Sequence, residues 1–101
     1  MSSLTYSERF LTWMTIEQGR SPRTIEAYRR DLLRYEAFLE TKGCDVLSAQ
    51  SPVIEQYIGS LRAEGKAAKS VARMYAAVRM MHRYLVENGY VQIIQPLGLM
   101  A

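Results

Sequence analysis

Three arginines in the first third of the chain are spaced so that a helix would carry them on one face. Arg23, Arg30 and Arg34 lie on the same side when each residue turns by 100°, and small Ala27 lies between them. Long cationic side chains around a small residue allow a phosphate backbone to approach a helix closely. The pattern therefore predicts a surface for an anionic polymer such as duplex DNA.

A second group of cations occurs later in the chain with a similar arrangement. Lys66, Lys69 and Arg73 lie on the side of a predicted helix that faces away from apolar Val71 and Met74. Two long helices with such faces could straddle a groove of a duplex.

The same cations have another interpretation, as the solvated polar faces of ordinary surface helices. Acidic Glu26 and Asp31 lie among them, and the formal net charge of the chain is only +3. Such a small net charge points only weakly to nucleic acid, so the placement of the charges has to decide. On the residues alone, both interpretations stay open.

Catalytic and metal chemistry find little support in the remaining polar residues. With one cysteine, Cys44, and one histidine, His82, the chain can form neither an internal disulfide nor a four-ligand zinc site. Four tyrosines fall on or beside apolar stripes, where a phenol usually packs: Tyr28, Tyr35, Tyr57 and Tyr75. We therefore expect no catalytic residue, no metal and no cofactor.

The chain has no run of about 20 apolar residues that could span a membrane. Its N-terminus also lacks the basic start and apolar stretch of a signal peptide. A single cysteine fits a reducing compartment. We expect a cytoplasmic protein without a membrane partner.

Capping and turn residues divide the sequence into four helical segments within one domain, residues 1–101. They run over about 4–18, 21–43, 51–65 and 68–88. The second segment opens with a cap, Ser21, followed by Pro22, and Ser51-Pro52 repeats this start for the third. For the first segment, Thr5 has capping-box spacing to a glutamate three residues later.

Apolar residues recur in each segment at spacings of three and four, which is typical of amphipathic helices. The predicted core stripes are Phe10, Leu11 and Met14; Ile25, Tyr28, Leu32, Tyr35 and Leu39; Ile54, Tyr57, Ile58 and Leu61; and Val71, Met74, Val78, Met81 and Leu85. Strand-like alternation is absent from the sequence. These patterns predict an all-α four-helix bundle, followed over residues 90–101 by a short C-terminal helix or a linker segment.

Two stretches of the sequence resemble a known family. Residues 21–32, SPRTIEAYRRDL, resemble the S-x-x-T-x-x-x-Y-x-x-D-L opening of the core-binding domain of tyrosine recombinases, the Xer and phage or integron integrases. Residues 65–73, GKAAKSVAR, and the segment that continues to residue 85 are similar to that domain's last long helix. The resemblance covers roughly residues 4–96, although His82 stands where the family usually has an aromatic residue.

This resemblance implies a SAM-like four-helix domain that forms one half of a C-shaped clamp around DNA. Its second and fourth helices would enter the major groove, and Arg34 joins the implied contacts because of its helical spacing. We call the resulting nine residues the DNA face: Arg23, Thr24, Ala27, Arg30, Arg34, Lys66, Lys69, Ser70 and Arg73.

In this family, the tyrosine nucleophile and its activating residues belong to a separate C-terminal catalytic domain. The resemblance therefore implies that this chain alone is not an enzyme, and that its parent would be a DNA strand-transferase. The implied partners are double-stranded DNA, the catalytic domain of the parent and other recombinase subunits on DNA. Without DNA, we expect a monomer.

Two other function classes compete with a DNA clamp. A helical protein-interaction module would leave the basic faces solvated and dock a partner through the apolar tail at 93–100. A transcription regulator with a helix-turn-helix is disfavoured, because the segment from Gly43 to Ser51 is too long for the tight turn of that motif.

Overall fold

A computed structural model describes residues 4–91 of the chain and their side chains from Tyr6 onward. The described part contains four helices: α1 (Leu4–Glu17), α2 (Pro22–Thr41), α3 (Ser51–Ala63) and α4 (Ala68–Glu87). The predicted all-α bundle is confirmed, and the helix bounds agree with the sequence to within a few residues. The predicted short helix or linker at the C-terminus lies outside the described residues.

The start of α2 follows the sequence signal. The Ser21 hydroxyl oxygen accepts a hydrogen bond from the Thr24 backbone N–H at 3.2 Å, and Pro22 occupies the first turn. This cap satisfies one of the backbone donors that every helix leaves without an internal partner.

The starts predicted for α3 and α1 need correction. The N-cap of α3 is Gln50 and makes no side-chain cap bond, while Ser51 is already helical. α1 begins at Leu4, so Thr5 lies inside the helix and not at its N-cap position. In both places the backbone turns helical earlier than the capping residue type indicates.

The long helices α2 and α4 end in the same way, with a glycine in the left-handed region. Gly43 has φ 73° and Gly89 has φ 78°. The following N–H groups, of Cys44 and Tyr90, reach back to the carbonyls of Leu39 at 3.1 Å and Leu85 at 2.9 Å. This arrangement satisfies carbonyls that would otherwise lack a partner and turns the chain sharply away.

The core lies where the apolar faces of all four helices meet. Every predicted stripe residue is buried except Tyr28, which packs partly buried against the core. Val46 and Ala49, from the connection between α2 and α3, are buried as well. Within the described residues, no helix is long and apolar enough to cross a membrane.

Two polar contacts between buried side chains join helices in this core, and the apolar stripes did not predict them. The hydroxyl of Tyr35 lies 2.7 Å from Nε2 of His82, which joins α2 to α4. The Ser7 hydroxyl of α1 donates to the Glu36 carboxylate of α2, and both residues are buried. Burial lowers the pKa of His82 to about 4 and raises the pKa of Glu36 to about 7.

Replacing the α2 cap should destabilise the domain. We expect Ser21→Ala to lower the free energy of unfolding by about 1 kcal/mol, because the N–H of Thr24 loses its acceptor. The matched control is Ser51→Ala, which precedes a proline in the same way but removes no cap bond. Urea unfolding monitored by circular dichroism measures both, and equal losses in the two variants would contradict the cap assignment.

The buried Glu36 should make stability depend on pH. Its folded pKa of about 7 lies above its ordinary value of 4.5, so the folded state binds the proton more tightly. The stabilisation that comes from this tighter proton binding is complete below pH 4.5 and is lost as the pH rises to about 7. The nearby carboxylates of Glu40, Asp45 and Glu8 also raise the pKa of Glu36.

We therefore expect the free energy of unfolding of Glu36→Gln at pH 8 to exceed that of the wild-type chain by about 1 to 3 kcal/mol. At pH 4 the two proteins should differ much less. Glu87→Gln, at an exposed position that is not among the carboxylates acting on Glu36, is the control. A wild-type chain that is more stable than Glu36→Gln at pH 8 would contradict this prediction, because it would show that the buried carboxylate does not destabilise the fold.

Candidate nucleic-acid interface

The α2 part of the DNA face forms a continuous exposed stripe. Arg23, Arg30 and Arg34 are exposed, and Ala27 is half-buried between them. Thr24 is half-buried and belongs to the helix cap, since its hydroxyl oxygen accepts a bond from the Ser21 hydroxyl at 3.1 Å. This side of α2 is opposite the Ile25 stripe, as the spacing predicted.

The α4 part lies along the first half of that helix. Lys69 and Arg73 are exposed, whereas Lys66 and Ser70 are half-buried. Lys66 precedes the helix, and its backbone N–H bonds to the Leu61 carbonyl at the end of α3. The cations of α4 therefore begin at the α3–α4 turn and continue along one side of the helix.

An ion pair ties the two parts together. The Arg73 guanidinium of α4 donates from Nε and Nη2 to the two carboxylate oxygens of Asp31 on α2, at 3.0 and 2.9 Å. The Asp31 side chain is only 5% exposed, while that of Arg73 remains 46% exposed. The pair links the cationic part of α2 to that of α4 at one point, which we call the α2–α4 seam.

A second ion pair connects the DNA face to α3. Arg34 donates to the carboxylate of Glu64, the C-cap residue of α3, and both side chains are nearly half exposed. Arg34 and Arg73 are therefore each paired with a carboxylate, which the sequence did not predict. Among residues 4–91, the cations Arg23, Arg30, Lys66 and Lys69 form no ion pair.

Arg29, the neighbour of Arg30, belongs to a different surface. It bonds to Glu8 of α1 at 2.9 and 3.0 Å, and to Glu26 at 2.7 Å. The bond to Arg29 lowers the pKa of Glu8. Two adjacent arginines of α2 thus have different roles, one clamping α1 and one facing outward.

Sequence reasoning missed several residues around this face. The pairing of Asp31 was not predicted, because its partner is 42 residues away in the chain. Arg62 borders a groove of about 620 Å³ between α3 and α4 that Lys66 of the DNA face also lines, and Arg79 lies over the Tyr75 ring at 5.6 Å. The i,i+4 spacing of Tyr75 and Arg79 was the one available signal for that contact.

Two of the tyrosines and the histidine lie in the core. Tyr35 and Tyr57 are buried, and burial raises the pKa of Tyr57 to about 12. His82 is buried as well, and in the described part of the chain its Nδ1 has no hydrogen-bond partner. No cluster of three or more potential metal ligands occurs among residues 4–91.

The two ion pairs should differ sharply in their contribution to stability. Arg73→Ala leaves the buried Asp31 carboxylate without a partner, and we expect a loss of about 2 to 3 kcal/mol in the free energy of unfolding. Arg34→Ala breaks an exposed pair and should cost less than about 1 kcal/mol. Denaturant unfolding compares the variants, and a larger loss for Arg34→Ala would contradict this ranking.

Comparison with known proteins agrees with this architecture. Residues 7–89 match the family model described as phage integrase, N-terminal SAM-like domain. The tyrosine recombinase XerD of Staphylococcus haemolyticus is 36% identical over 87 residues, which cover 85% of this chain and 30% of that protein.

Two further relatives carry the same name. XerD of Staphylococcus saprophyticus is 37% identical over 89 residues, or 85% of this chain and 30% of the relative. XerD of Rhizobium meliloti is 32% identical over 87 residues, or 86% of this chain and 28% of the relative. The chain thus spans less than a third of the length of these relatives.

No solved structure matches the chain significantly. The family assignment therefore rests on the sequence comparisons and on the four-helix architecture, which agree over the same residues. This chain belongs to the family of N-terminal SAM-like domains of phage integrases.

Proposed function

We propose that this chain binds duplex DNA as the N-terminal clamp domain of a site-specific tyrosine recombinase, using the nine residues of the DNA face. The observation that carries the proposal is the Asp31–Arg73 bridge, because it joins two basic helix faces along one seam. If the cationic faces of α2 and α4 were only solvated helix surfaces, a contact between them would not be expected.

The geometry suits a helix pair that follows a groove. Both α2 and α4 have 20 residues, which corresponds to a length of about 30 Å. Arg23, Arg30 and Lys69 supply exposed charge for phosphates, and the low profile of Ala27 and Ser70 allows close approach. Base edges would be read by the groups at the seam, Arg73 foremost.

The proposal extends to the parent protein. Its relatives are named as tyrosine recombinases, so strand cutting and joining would be the task of a catalytic domain and of partner subunits assembled on DNA. We further propose a cytoplasmic location and a monomeric state in the absence of DNA. The part described here would contribute binding and orientation.

A second candidate function has its own observation. A groove of about 800 Å³ runs along α1 and is bordered by Trp13, Ile16, Tyr84 and Tyr90. Ile16 is 71% exposed, which is unusual for a large apolar residue. A protein-interaction module would bind its partner protein at this surface, which lies on the side of α2 that carries Arg29. Its affinity for that partner would not depend on the residues of the DNA face.

DNA titration across salt concentrations tests the first candidate. If four to six cations reach phosphates, log K should fall against log salt with a slope of about −4 to −5. Half of a clamp with few base contacts should bind in the range of about 10⁻⁴ to 10⁻⁶ M at physiological salt. Fluorescence anisotropy with a short labelled duplex measures both quantities.

Adjacent arginines provide the matched pair of variants. Arg30→Ala should weaken binding several-fold and flatten the salt slope by about one, because an unpaired cation is lost. Arg29→Ala removes the same charge from the α1 side and should leave the slope unchanged. No binding to any duplex at low salt, with circular dichroism showing intact helices, would favour the interaction module.

A further inference from the structure

Arg73 uses only one edge of its guanidinium to bind Asp31. The bonds come from Nε and Nη2, at 3.0 and 2.9 Å from the two carboxylate oxygens. A guanidinium is rigid and planar with five N–H donors. When the Nε–Nη2 edge is held in this way, the Nη1–Nη2 edge keeps a parallel pair of N–H groups for another ligand.

The burial of the two side chains is unequal in a way that favours such a second ligand. Asp31 is almost completely covered, whereas nearly half of Arg73 is accessible. The carboxylate therefore lies beneath the guanidinium, and the arginine forms the outer layer of the seam. Contact with Asp31 also raises the pKa of Arg73, so its charge is constant at any physiological pH.

We propose that Asp31 is a positioning residue for DNA recognition, which holds Arg73 so that its Nη1–Nη2 edge points from the α2–α4 seam toward a guanine edge in the major groove. This inference rests on the proposed DNA binding and adds a specificity-determining role to one residue pair. A bidentate contact of arginine to O6 and N7 of guanine requires that parallel pair of donors.

Fixing the guanidinium in advance has an energetic reason. A free arginine loses rotamer entropy when it is immobilised against a base, and a side chain that is already held loses less. A carboxylate near DNA would ordinarily repel phosphates. Here the charge of Asp31 is neutralised by its bidentate partner and covered by it, so the positioning effect outweighs the repulsion.

The Arg34–Glu64 pair offers a matched comparison on the same face. It too joins an arginine of the DNA face to a carboxylate, but Glu64 is 47% exposed and accepts only one bond. Such a pair leaves the arginine free to rotate away. Converting either carboxylate to its amide removes one negative charge next to a DNA-face arginine, and only Asp31 should be needed for binding.

The test measures the affinity of the whole chain for two short fluorescein-labelled duplexes, one guanine-rich and one with A·T pairs only. We expect Asp31→Asn to weaken binding to the guanine-rich duplex by about 5- to 10-fold, although it removes a negative charge. Glu64→Gln should leave the affinity unchanged or raise it slightly. The preference for the guanine-rich duplex should shrink in Asp31→Asn alone.

A double-mutant cycle separates positioning from a general structural effect. If Asp31 acts through Arg73, then Asp31→Asn should have no further effect in a chain that already carries Arg73→Ala. An equal loss in both backgrounds would overturn the proposal. So would Asp31→Asn binding as tightly as Glu64→Gln while its helices are intact by circular dichroism.

A charge-preserving variant keeps the test decisive if Asp31→Asn fails to fold. Arg73→Lys retains a cation for Asp31 but lacks the planar fork. It should lose about 5- to 10-fold in affinity for the guanine-rich duplex and also lose the preference for it, and wild-type binding by this variant would overturn the proposal. Failure of the wild-type chain to bind either duplex would instead overturn the proposed function, and this inference with it.

Discussion

The crossing of α2 and α4 is the contact on which the rest of this domain depends. Each of these helices buries an apolar stripe and leaves cationic residues at the surface. Tyr35 and His82 join the helices inside the core, and Asp31 and Arg73 join them at its rim. The hydrogen bond in the core and the ion pair at its rim thus both connect α2 to α4.

The inner contact places ionisable groups where water cannot reach them. His82 is kept neutral by burial, and Glu36 close by is biased toward its protonated form by the same cause. Their effects on stability run in opposite directions with pH. Stability from neutral His82 is lost as the pH falls and the imidazole gains a proton, whereas stability from protonated Glu36 is lost as the pH rises and the carboxyl ionises. Over mildly acidic pH the two contributions oppose each other, so the wild-type chain can be less sensitive to pH than either group alone.

The outer contacts change how the cations of this chain should be understood. Arg29, Arg34 and Arg73 pair with carboxylates on α1, at the C-cap of α3, on α2 or in the preceding turn, and these pairs help to set the packing of α1, α3 and α4 around α2. In the proposed function, the exposed cations of the DNA face that form no ion pair within the described residues would be the ones that contact phosphates. The modest net charge of +3 does not reveal this division, because it counts paired and unpaired charges alike.

The four helices and their core stripes were predictable from the sequence, because helical periodicity and turn residues are properties of residues near one another in the chain. The nine residues of the DNA face came from the same periodicity together with the family resemblance. The pairing of Arg73 with Asp31, the contact of Ser7 with Glu36 and the different surroundings of Arg29 and Arg30 became visible only in the folded chain. These contacts join residues 21 to 42 positions apart. Their formation depends on the angle at which packed helices cross, which no local pattern encodes.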